Sequence, residues 1–189
     1  MKIHGQRLLA SAMPAKLIRD ALIPFRTNFT GGQIWQKLLK HFARQAKDGR
    51  DYSVLGIENC DLNSEYPTSR LMYPTVKTTR TDFASELFVE VSYFFSDRFL
   101  ERKKGITGFQ VTIIFLFPDF VLNEIITIPN QLPVKALEDN STYSFIQQIP
   151  EGRESVLVCF KAEACLNGVL IIGSGHVDKV MCLLAGELL

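Results

Sequence analysis

The chain has 189 residues, 47% of them hydrophobic and 22% charged, the balance of a folded globular protein rather than a disordered one. Its net charge of +1 conceals a divide: residues 1–50 hold ten Lys+Arg against two Asp+Glu, and residues 51–189 hold eleven against eighteen, giving segment charges of +8 and −7. No apolar run approaches the roughly 18 residues of a transmembrane helix, and Ser11 and Pro14 cut short the apolar stretch Leu8-Leu9-Ala10 that a secretory signal would extend. These features predict a soluble protein without membrane insertion, cytoplasmic or within a particle.

The basic segment carries two helical signals. Pro14 suits the first position of a helix, where a missing N–H costs nothing. Leu17, Ile18, Ala21 and Leu22 follow at helical spacing, and Pro24 stops the run. The second signal is stronger. Ile34, Trp35, Leu38, Leu39 and Phe42 form one apolar face. Lys37, Lys40, Arg44 and Lys47 recur at i, i+3, i+7 and i+10, so at about 100° per residue they stay within roughly 80° of one another, nearly opposite Trp35 and Phe42. Gly49 is the expected stop.

Beyond Arg50 the period shortens. Leu87, Val89, Val91, Tyr93 and Phe95 alternate with Glu86, Phe88, Glu90, Ser92 and Phe94, as in a half-buried strand. Asp97 to Gly108 reads as a polar loop containing Glu101-Arg102-Lys103-Lys104-Gly105. Phe109 to Phe117 is apolar on both faces, which predicts a central strand ended by Pro118-Asp119. Further strands are expected over 121–128, 143–149 and 155–165, with weaker ones near 52–57 and 69–77. Asn167-Gly168 between two strand-like runs predicts a tight hairpin. The segment 179–184 reads as a last strand or a short helix. Seven to nine short strands without intervening helices predict a mainly β protein of the α+β class: an antiparallel sandwich or barrel-like body over 51–189, preceded by a basic helical segment over 1–50.

Chemistry is harder to find. Cys60, Cys159, Cys165 and Cys182 make no C-x-x-C pair and read as reduced, buried thiols. Ser174, His176 and Asp178 are too close in sequence to form a nucleophilic triad and read as a turn. Glu58, Asp61 and Glu65 lack the spacing of a calcium loop. Glu86 and Glu90 share one strand face, more simply a solvated surface than an acid–base pair. No cofactor, metal site or catalytic set is expected. The charged residues that remain are Lys37, Lys40, Arg44 and Lys47, with the loop residues Arg102, Lys103 and Lys104. They point to an interaction or assembly protein, a subunit of a larger particle, that contacts a protein partner or further copies of itself. A nucleic-acid-binding module using the basic helices is the alternative. An enzyme or small-ligand binder with a loop-built site is the third reading. The single tryptophan, Trp35, is expected to anchor the second helix to the core.

Overall fold

A computed structural model describes all residues except 1, 27–32, 59, 63–65, 84, 102–104, 138, 140–141 and 172–178; the side chains of 2–10, 33, 185 and 188 are also left aside. In chain order the helices are α1 (Lys2–Leu22), α2 (Gln33–Lys47) and the single turn α3 (Asp97–Leu100). The strands are β1 (Cys60–Asp61), β2 (Met72–Arg80), β3 (Glu86–Phe95), β4 (Gly108–Asp119), β5 (Glu124–Gln131), β6 (Lys135–Ala136), β7 (Tyr143–Gln148), β8 (Ser155–Leu166), β9 (Val169–Leu170) and β10 (Lys179–Leu188).

Every strand pairing is antiparallel. The large sheet runs β1-β10-β8-β4-β5, with β6 paired to β4 and β9 to β8; the small sheet runs β2-β3-β7. The body is therefore a sandwich of two sheets rather than a closed barrel. Side chains join the two sheets at both flanks: Asn130 of β5 donates to Gln147 of β7, and Thr78 of β2 donates to Glu187 of β10.

The two middle strands of the large sheet explain the layering. In β4, Val111, Ile113, Phe115 and Phe117 face the small sheet, while Ile114 and Leu116 face the opposite way. In β8, Val156, Val158 and Phe160 face the small sheet and Leu157 and Cys159 the opposite side. Both strands are apolar on both faces, so both faces must be covered. The small sheet covers one with Leu87, Val89, Val91 and Tyr93. The helices cover the other: Ala15, Ile18 and Leu22 of α1 and Ile34, Leu38 and Phe42 of α2 are all buried against Leu157, Cys159, Met181 and Leu183.

The second helix, the strands β3, β4, β7 and β8, and the hairpin agree with the sequence pattern. Asn167 and Gly168 take φ values of 50° and 79°, the left-handed pair that a two-residue hairpin turn requires. The last segment resolves as a ten-residue strand. Four expectations change. Residues 52–57, expected as a weak strand, form no strand, because the chain turns at Leu55-Gly56, where Gly56 takes φ 83°. The first helix begins at Lys2, so Pro14 lies inside it rather than at its start. Pro14 forgoes one backbone bond, but it and the next residue are buried, and Ile18 and Leu22 dock the same face on the sheet. β4 runs through Pro118 to Asp119, and β5 runs through Pro129, which an edge strand tolerates. The loop after Ser96 holds a helical turn, because the Ser96 hydroxyl accepts from Phe99 N–H at 3.3 Å and donates to the Arg70 carbonyl at 2.7 Å.

Candidate interaction surface on the second helix

The core side of α2 fixes what its other side presents. Ile34, Leu38 and Phe42 are at most 1% exposed. Lys37, Lys40, Arg44 and Lys47 are all exposed. At 1.5 Å per residue they form a ladder about 15 Å long. Among the described residues no carboxylate lies within ion-pairing distance of any of the four. Trp35 is half-buried against the helix-side cluster, and the Arg19 guanidinium of α1 sits 4.8 Å above its ring. The tryptophan therefore ties the two helices together.

The C-terminal end of α2 is held rigidly. Gly49 takes φ 67° and Arg50 N–H returns to the Gln45 carbonyl at 3.1 Å, closing the last turn. Gln45 clamps the segment that follows: its amide donates to the Ser53 carbonyl and accepts from Ser53 N–H, both at 2.9 Å. His41 Nε2 lies 2.9 Å from the same carbonyl. Phe42 meets Tyr52 at 5.8 Å and Phe120 at 5.4 Å, ring to ring, both edge-on. This aromatic knot joins α2 to the β4–β5 turn.

Next to the knot lies an open groove of about 630 Å³, lined by Asp51 to Ser53, Leu55, Pro118 to Leu122, Gly152, Glu154 and Ser155. The Asp119 carboxylate shapes its turn by accepting from Val121 N–H at 2.9 Å and Leu122 N–H at 2.8 Å. Arg153 is bound between Asp119 (3.2 Å) and Glu124 (3.3 Å). Val121 is 95% exposed and Leu122 64%. Asp51, Glu151 and Glu154 are exposed, and none of them forms an ion pair among the described residues. A basic ladder thus ends beside an acidic, apolar-tipped groove.

The candidate reactive groups stay apart or are occupied. A small cleft of about 90 Å³ gathers Lys37, His41, Glu58 and Cys60. Burial pushes the Cys60 thiol up, against the pull of Lys37, so the thiolate that nucleophilic chemistry needs is disfavoured. All four cysteines are free and buried, with Cys182 pushed up by burial to about 12. Asp61 accepts from Thr68 N–H and Oγ1 at 2.8 and 2.6 Å. Glu86 accepts from Gln148 at 2.8 Å, and Glu90 faces Lys77 across β2–β3; both lie on the outer face of the small sheet. Among the described residues no group of His, Cys, Asp and Glu is placed to hold a metal ion, and no helix is long and apolar enough to cross a membrane. The loop residues Arg102, Lys103 and Lys104, the Ser174–Asp178 stretch and Glu65 lie outside the described residues.

One feature had no sequence signal. Lys135 of β6 is 1% exposed, its ammonium 4.9 Å from the Tyr93 ring and 5.3 Å from the Tyr143 ring. Burial lowers its pKa, and Asp139 works in the opposite direction. The two rings belong to the small sheet, so the buried cation holds β6 against it.

Comparison with protein-family models, with curated proteins and with solved structures found no match.

Proposed function

We propose that this chain is a non-enzymatic interaction or assembly protein that docks an acidic protein surface against the exposed face of α2. The observation that carries this reading is the ladder Lys37, Lys40, Arg44 and Lys47, four exposed cations along one helix face, none of which forms an ion pair among the described residues. Like charges three and four residues apart weaken a helix by a few tenths of a kcal/mol per pair. A complementary surface relieves that repulsion and is steered to the site by it. A protein partner fits better than a nucleic acid, because no aromatic residue shares the basic face to stack on bases: Phe42 is buried and Trp35 lies between the helices.

The test is capture from native extract with wild-type protein and a K37E/K40E/R44E variant, followed by cross-linking through the α2 lysines. The reading predicts a polypeptide cross-linked to Lys37, Lys40 or Lys47 and lost in the variant. Wild-type binding to a mixed DNA and RNA pool at low salt, abolished in the variant, would replace the protein partner by nucleic acid. Equal behaviour of both proteins in every arm would end the docking reading.

A further inference from the structure

We infer that the acidic surface met by the α2 ladder is the groove beside it on a second copy of the same chain, so that two copies close reciprocally about a two-fold axis. This inference rests on the docking role proposed for α2 and names the partner. The ladder ends at Lys47, and the groove begins at Asp51, four residues on, across the closed turn at Gly49. The Phe42–Phe120 contact at 5.4 Å and the Gln45–Ser53 clamp fix the groove to α2. The molecule therefore carries a basic half and an acidic half side by side on rigid elements, rather than at opposite ends.

That adjacency decides the symmetry. Complementary patches at opposite ends of a chain propagate head to tail, whereas adjacent ones can both be satisfied by one two-fold operation. In such a pair, Lys40, Arg44 and Lys47 of one copy face Asp51, Glu151 and Glu154 of the other, and the reverse contact forms at the same time. The groove also offers an apolar anchor. Val121 and Leu122 stand exposed on a turn that Asp119 holds rigid, and Leu55, 47% exposed, lines the same groove. The aliphatic stems of the partner's lysines supply the apolar surface to cover them.

The test is light scattering of the purified protein over a range of concentrations, at low and high salt, with two charge-reversal variants. Over the facing residues, K40E/R44E turns the charge of Lys40, Arg44 and Lys47 from +3 to −1, and D51K/E154K turns that of Asp51, Glu151 and Glu154 from −3 to +1. All four substituted residues are exposed, and far-ultraviolet circular dichroism checks that each variant folds. The wild type should form dimers at low salt and dissociate at high salt. Each variant alone should be monomeric, with at least a tenfold weaker association. An equimolar mixture of the two should restore the dimer, because each basic surface then meets an acidic one. A wild type that is monomeric throughout, an association that survives either reversal, or growth past the dimer would each overturn the inference. If the purified protein is monomeric while α2-dependent capture of another polypeptide persists, the inference fails and the docking role stands; if that capture is also absent, the docking role fails with it.

Discussion

The large sheet is covered twice, and its two covers differ. On one side the small sheet seats Leu87, Val89, Val91 and Tyr93 on the core and turns outward a surface of mixed character, in which Lys77 sits opposite Glu90 and Tyr73 opposite Phe94. On the other side α2 seats Ile34, Leu38 and Phe42 and turns outward a ladder of one sign. The inner faces do the same job by the same hydrophobic means. The outer faces do not. Opposite charges that face each other across strands stabilise the sheet that carries them. Along α2 the like charges repel, and only Arg44 and Lys47 are offset, by the negative end of the helix dipole; the docking role proposed above rests on this outer face.

The largest effects should come from the inner faces. Phe160→Ala, between the sheets, and Phe42→Ala, beneath the helices, each remove a fully buried ring and should each cost about 3–5 kcal/mol. Urea unfolding midpoints measure both. A Phe42→Ala cost below about 1 kcal/mol would mean that the helical cover is not part of the core. Next comes Gly186→Ala in β10. A β-carbon there would collide with the Val54 carbonyl, which lies over that strand. Overpacking of this kind costs about 1–3 kcal/mol, read in the same titration.

A gentler effect follows from the buried thiols, one on each side of the sheet: Cys159 beneath the helices and Cys182 toward the small sheet. Burial raises both from the ordinary 9.0, Cys182 to about 12. The folded state therefore keeps protons that the unfolded state releases. The stability that Cys182 contributes in this way is complete below pH 9 and is lost as pH rises from 9 toward 12, and Cys159 acts in the same direction. Unfolding midpoints should fall over that range, and C182A should flatten the fall. An unchanged slope in the variant would remove Cys182 as a cause.

The smallest effect should come from the outer face of α2. K40E/R44E should shift stability by no more than about 0.5 kcal/mol, since exposed charges away from special features contribute little. A larger loss would show that the ladder serves folding rather than docking.

Much of this comparison was legible in the sequence where one element carries its own period. Alternation identified the buried face of β3, and the apolar run 109–117 showed that β4 is covered on both sides. Three- and four-residue spacing placed the ladder on one face of α2 before any contact was known. Features assembled from distant segments were not legible. The groove brings together residues near 51, 120 and 153, and no local pattern links them. Lys135 gave no hint of burial, because its shelter comes from Tyr93 and Tyr143 on other strands. Pro14 misled the reading of α1, because a proline that starts a helix and one buried within it look alike until packing is known.

The most direct test of the docking claim compares the two outer faces in one experiment. Acetylation rates of Lys37, Lys40 and Lys47 on α2 and of Lys77 on the small sheet are measured by mass spectrometry, in native extract at low salt and again at high salt. The account predicts that the three α2 lysines are protected at low salt and released at high salt, while Lys77 reacts equally in both. Equal reactivity of all four under both conditions would contradict it.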